Sequence, residues 1–93
     1  MREMRPVEKR QELMNTSKRL MLVFTEPEAQ GYWLRPGETV ELRAEIASPV
    51  DYFQLDNNRD GVTVWPSDGM RYISVWAGGL ELRCGHQRPV GWA

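Results

Sequence analysis

The segment Thr39 to Ala47, TVELRAEIA, alternates without a break. Val40, Leu42, Ala44 and Ile46 fall on one parity, and Glu41, Arg43 and Glu45 on the other. Successive side chains of a strand point to opposite faces, so a two-residue period puts one face on a core and the other in water. A helical winding would scatter the same apolar residues around its circumference. A half-buried β-strand is therefore the strongest local expectation in the chain, and it governs how the neighbouring segments are placed.

Upstream, Tyr32 to Leu34 runs into Arg35-Pro36-Gly37-Glu38. Proline presets φ near −65° and glycine accepts φ > 0, the combination a type II turn requires. The stretch GYWLRPGETVELRAEI is thus expected to be a corner of a sheet and not a catalytic loop. The same grammar recurs. Val50 to Leu55 precedes DNNRDG, Val62 to Trp65 precedes PSDG, and Met70 to Trp76 precedes AGG. Leu80 to Cys84 alternates again, with Glu81 and Arg83 outward. Leu20 to Phe24 is apolar on both parities, which predicts a central strand covered on both faces.

The segment PVEKRQELMN is compatible with a short helix carrying Pro6 at its first position. A strand around Gln11 to Met14 is preferred, because Val7 and Leu13 give a helix no apolar stripe to bury. These runs sum to about seven or eight strands, which predicts an all-β fold. The expected architecture is a single small antiparallel β-sandwich, immunoglobulin-like or cupredoxin-like, with a small jelly roll also open. Residues 1–10 are expected to form a flexible tail and residues 11–93 the sandwich.

Length and composition bound the function. A chain of 93 residues builds one core, burying roughly 60–65% of its unfolded surface, and leaves little room for an internal cofactor cavity. Its longest apolar run, Leu20 to Phe24, is far below the roughly 20 residues of a membrane-spanning helix. The opening MREMRPVEKRQELMNTS lacks the apolar stretch and small-residue cleavage site of a secretory signal. The lone Cys84 cannot staple a secreted fold, so a cytoplasmic location is expected. Basic residues outnumber acids before Leu20 and acids outnumber bases after it, with a net charge of −1. A body of that sign does not present the dense basic face that nucleic-acid binding requires.

The segments EPEAQGYWLRPGETVELRAE and GVTVWPSDGMRYISVWAGG carry a joint pattern. It comprises Glu-Pro, an aromatic before Pro-Gly-Glu, then Gly-hydrophobic-Thr-Val-Trp and a late Gly-Gly hairpin. It resembles small uncharacterised bacterial all-β proteins. The resemblance implies the fold and no activity.

Three groups invite chemistry. Asp56, Asn58 and Asp60 followed by Gly61 match the first half of a calcium loop, but Ser67 stands where the bidentate glutamate belongs. A polar hairpin turn is the expected role. Cys84 and His86 are poor metal ligands in a chain with a single histidine: a blue-copper centre needs two, and zinc would need oxygen ligands or a second subunit to fill its tetrahedron. As a nucleophile and base they have no evident orienting group. Cys84 is expected inward at the end of its strand. Glu26 and Glu28 flank Pro27 with nothing to mark them as an acid–base pair. No catalytic residue, metal or cofactor is assigned.

The aromatics remain. Trp33, Trp65, Trp76 and Trp92 are many for this length, and tryptophan is enriched at binding hot spots. By parity Trp65 lies opposite Val62 and Val64, while Tyr72 and Trp76 lie opposite Ile73 and Val75. If PSDG joins those strands as a hairpin, their outward aromatics form one stripe. The expected function is a small non-enzymatic module that recognises another protein, a second copy included, through an aromatic sheet face or an edge strand. Tyr32, Trp33, Trp65, Tyr72 and Trp76 are the expected contacts. Carbohydrate or small-ligand binding by the same aromatics is the alternative, and an enzyme the third.

Overall fold

The computed structural model describes residues 7–91. The described residues contain no helix. Eight strands, β1 (Val7–Met14), β2 (Met21–Thr25), β3 (Gln30–Leu34), β4 (Thr39–Ile46), β5 (Phe53–Asn58), β6 (Gly61–Pro66), β7 (Arg71–Ala77) and β8 (Leu80–Glu81), form two sheets. Sheet A has the order β1-β4-β7-β8 and sheet B the order β3-β2-β6-β5. The fold is the expected small all-β sandwich. One pairing departs from antiparallel: β2 runs parallel to β6, with Val23 beside Val62 and Thr25 beside Val64.

The alternation of β4 is realised as expected, with Val40, Leu42 and Ala44 buried. They meet Val75 of β7, Val23 of β2, Leu34 of β3, Phe53 of β5 and Val62 and Val64 of β6 in one core. The strand at Gln11 to Met14 begins earlier than expected, at Val7. Residues 7–10, placed in the tail from sequence, pair with β4 from Ile46 to Arg43. Backbone pairing with a strong neighbour organises this polar segment, which has no hydrophobic signal of its own.

The strands of each sheet are not consecutive in sequence, and the chain crosses from one sheet to the other after β1, β3, β4 and β6. Two buried polar side chains hold these passages in pairs. At one end lies Asn15, fully buried. Its Nδ2 donates to the carbonyls of Arg19 and Leu34, each at 2.8 Å, and its Oδ1 accepts from the amide and hydroxyl of Ser17. Its backbone is bonded to Glu38 and Gly37. The β1–β2 passage is thereby fastened to the β3–β4 passage, where Gly37 has φ +83° and the Glu38 amide bonds to the Arg35 carbonyl at 3.0 Å. RPGE is a corner between sheets.

At the other end Asp51 does the same for the β4–β5 and β6–β7 passages. Its carboxylate accepts from the amides of Ala47 and Ser48 and from the Ser67 hydroxyl at 2.8 Å, and its carbonyl accepts from Lys9 Nζ at 2.6 Å. A Cβ on Gly69 would lie 2.6 Å from that carboxylate, so this position admits only glycine without movement. The Ser67 hydroxyl first, then the amides of Ala47, Ser48 and Gly69, hold the Asp51 carboxyl below its ordinary range against the opposing effect of burial.

Two predictions follow from these fastenings. Asn15→Ala removes the donor to the buried Leu34 carbonyl and the tie between Arg19 and Ser17 and should cost about 2 kcal/mol in urea unfolding. A carboxylate whose folded pKa lies below its unfolded one adds stability above the unfolded value and loses it as the pH falls through the folded value. Thermal stability of the wild type should therefore drop as the pH falls below the ordinary aspartate value of about 4. Asp51→Asn should be less stable near neutrality and show a shallower acid limb.

Candidate functional site

The five aromatics expected as contacts do not share a surface. Tyr32 and Trp33 are 3% and 4% exposed, whereas Trp65 is 40% and Tyr72 66% exposed. Tyr32 points into the core between the sheets. Its hydroxyl donates to Gln30 Oε1 at 2.9 Å, and burial first, then Cys84 and Glu81, push its pKa up. It is no contact residue, because the parity of β3 that faces Val23 is the inward one.

The hairpin through PSDG, the condition for a single aromatic stripe, does not form. β6 pairs with β2 and β5, β7 with β4 and β8, and Pro66 to Gly69 carries the chain from sheet B to sheet A. Trp65 therefore lies on the outside of one sheet, and Tyr72 and Trp76 on the outside of the other. Parity assigned all three outward correctly. Which sheet each strand joins is a long-range choice that turn residues do not encode.

On sheet A the outer face is charged. Glu41, Arg43 and Glu45 of β4 lie between Glu8, Arg10 and Glu12 of β1 and the Tyr72, Ser74 and Trp76 positions of β7. Trp76 is already engaged: the Arg43 guanidinium stacks 4.0 Å from its ring centroid, Arg43 is bonded to Glu41 at 2.6 Å, and the indole N–H donates to Ser74 at 2.8 Å. Such cation–π stacking fixes the ring as part of the sheet surface. Tyr72 sits in a bulge, where β7 gains a residue opposite β4 between the Arg43 and Glu45 pairings. Its φ of +62° is unusual for a side chain with a Cβ.

Sheet B differs. Its outward positions are Trp33 on β3, Leu22 and Phe24 on β2, Gly61, Thr63 and Trp65 on β6, and Gln54, Asp56 and Asn58 on β5. Leu22 pairs with Trp33, and Phe24 pairs with Thr63, placing Trp65 diagonally beyond it. An apolar stripe thus runs Trp33, Leu22, Phe24, Trp65 across the sheet. Gly31 makes room for it: a Cβ there would meet Leu22 at 3.2 Å and the Trp33 ring at 3.3 Å. Leu22 and Phe24 were missed from sequence as site residues, although the double-sided apolarity of the β2 segment already required a second apolar face.

Two hollows flank the stripe and share Leu22, Asn58 and Asp60. One, of about 400 Å³, has Leu22 and Trp33 at its base and the turns carrying Arg19, Arg59 and Asp60 as walls, with Pro89 at one side. The other, of about 330 Å³, is lined by Leu22, Phe24 and Thr63. Arg19, Arg59, Asp60 and Asn58 make a polar rim around the apolar centre.

The C-terminal segment covers part of this face. The chain leaves β7 after the Leu82 amide bonds to the Val75 carbonyl, and lies along β3. There the Gly85 amide donates to Gly31 at 2.7 Å and the Trp33 amide donates to His86 at 2.8 Å. Gln87 Nε2 bonds to the Trp33 carbonyl and to Glu38 Oε1, and Arg88 lies 5.4 Å from the Trp33 ring centroid. Gln87 first, then the Arg35 amide, keeps the Glu38 carboxyl below its ordinary range. Trp33 is thus a covered floor and not a free contact. Trp92 lies outside the described residues.

Cys84 is exposed, contrary to the inward position expected. β8 ends at Glu81, and the chain turns away with Gly85 at φ +91°, so the alternation does not extend to Cys84. DNNRDG closes the β5–β6 hairpin: Asn58 Oδ1 accepts from the amides of Asp60 and Gly61, both at 3.1 Å, and its Nδ2 donates to Thr63. That asparagine oxygen serves the turn. Among the described residues no three His, Cys, Asp or Glu side chains gather as a metal site.

No protein-family model, curated protein or solved structure matches the chain. Its geometry and chemistry are what indicate a function.

The stripe depends on close approach of β2 to β6. A Cβ on Gly61 would overlap the Leu22 carbonyl oxygen, at a φ of +154°. Gly61→Ala should therefore destabilise the domain by roughly 1–3 kcal/mol and raise hydrogen exchange of the β2 and β6 amides before those of sheet A.

Proposed function

We propose that the domain is a non-enzymatic recognition module that binds another protein through the outer face of sheet B. One observation carries this reading: the outward centre of that sheet is apolar, with Leu22 and Phe24 half-buried and Trp65 exposed. A water-facing side of a sheet normally alternates to polar residues. Large apolar groups ringed by polar ones match the anatomy of a protein interface, where a desolvated centre supplies affinity and the rim supplies orientation. Arg19 and Arg59 on the rim favour a partner with acidic residues around an apolar anchor.

Catalysis receives no support from the carboxyls with displaced pKa values. Asp51 and Glu38 are both held low by structural hydrogen bonds, the wrong direction for a general acid near neutrality. Carbohydrate binding has one feature in its favour, the proximity of Trp33 to Asn57, Asn58 and Asp60 around the larger hollow. The near-complete burial of Trp33 denies a sugar the ring face on which it would stack.

The test is affinity for a purified protein partner first recovered on the immobilised domain. Leu22→Ser and Trp65→Ala should each weaken binding by about tenfold or more. Tyr72→Ser, on the opposite sheet, should leave it unchanged. Undiminished binding by both sheet B variants would overturn the assignment. A saturable tryptophan fluorescence change with glycans, abolished by Asn57→Ala, would favour the carbohydrate reading instead.

A further inference from the structure

Among the described residues the sandwich has four sheet edges, of which one is covered and one is only two residues long. β3 is covered by Gly85 to Gln87 through main-chain hydrogen bonds. β8 has two residues. β5 has six, and of its outward positions Gln54, Asp56 and Asn58 only Asp56 is charged, so it offers no reciprocal ion pair to a second copy. β1 is an edge of eight residues, and its main chain pairs on one side with β4.

The charges of β1 are mismatched to the strand it pairs with. Glu8 faces Glu45, Arg10 faces Arg43 and Glu12 faces Glu41, like against like at every outward position that carries charge. Directly opposed like charges destabilise a strand pair. Arg43 is bonded to Glu41 at 2.6 Å, and Arg10 reaches Glu8 and Glu41 at 3.9 and 4.0 Å. The same charges are complementary to a second β1. In an antiparallel pairing centred on Gln11, Arg10 of each copy faces Glu12 of the other, Glu8 faces Met14, and Gln11 faces itself. Shifting the centre by one residue sets Arg10 against Arg10 or Glu12 against Glu12. Outward and inward faces are preserved, as register demands. Lys9 does not obstruct this, since its ammonium is turned to the Asp51 carbonyl.

We infer that β1 is a self-association edge, at which two copies of this chain pair antiparallel about Gln11 and join their A sheets into one continuous sheet, with reciprocal Arg10–Glu12 ion pairs selecting the register. The contact is isologous, as a two-fold dimer requires. It uses a surface distinct from the sheet B stripe, so either assignment can fail without the other.

Sedimentation equilibrium of the full chain over a wide concentration range tests this. The wild type should show a mass rising from 10.8 kDa toward twice that value, with weaker association at high salt. Arg10→Glu and Glu12→Arg should each weaken the dimer by about tenfold or more. The double variant should return within about threefold of wild type. Arg10→Glu gains an opposite charge across from Arg43 but loses its contacts to Glu8 and Glu41, and Glu12→Arg gains an opposite charge across from Glu41, so urea unfolding of each variant at monomeric concentration separates lost pairing from misfolding. Leu22→Ser should leave the dimer intact. A chain monomeric at every concentration would overturn the inference and make the charges of β1 a guard against edge pairing. A dimer indifferent to the single swaps, or a double variant as weak as the singles, would also overturn it.

Discussion

The structure depends on holding a chain that keeps changing sheets. Four passages between the layers would each be an independent, entropically costly loop if left to themselves. They are held in pairs, two by the amide of Asn15 and two by the carboxylate of Asp51. Both side chains are buried and multiply bonded, the condition under which a polar group in an interior stabilises and specifies a fold. β4 is strung between them: it starts after Glu38, whose carbonyl accepts from Asn15, and ends before Ala47, whose amide donates to Asp51. A one-residue slip of β4 would break both fastenings and turn its apolar face to water.

With β4 so placed, the two outer faces follow from parity and diverge in character. Sheet A shows water a lattice of glutamate and arginine with Trp76 stacked under Arg43. Sheet B shows Leu22, Phe24 and Trp65 around Thr63. The C-terminal segment adds a third element, sealing the β3 edge and covering Trp33 while leaving the β1 edge uncovered by those residues. A covered floor, an exposed apolar stripe and a charged edge that no described strand pairs with are three kinds of surface with different chemistry.

Much of this was legible locally. The alternation of Thr39 to Ala47, the corner at Arg35 to Glu38, the hairpin at DNNRDG and the glycine pair after Ala77 express forces acting within a few residues. The outward parity of Trp65, Tyr72 and Trp76 is of the same kind. Tyr32 and Cys84 were misplaced because short strands beside glycine and proline offer too few positions to establish parity. The stripe was misassembled because PSDG bends the chain identically whether it closes a hairpin or passes to the other sheet.

The amino-acid order by itself determined that this chain is all-β, where most strands lie and which side chains of the longer strands turn outward, since φ/ψ preference and two-residue periodicity are local properties. Only the tertiary structure decided which strands became neighbours, that β2 lies parallel to β6, and that Trp33 is roofed by its own C-terminal segment. Those outcomes depend on contacts between residues distant in sequence, where the free energy of burial is shared among alternatives that look alike until the whole chain is packed.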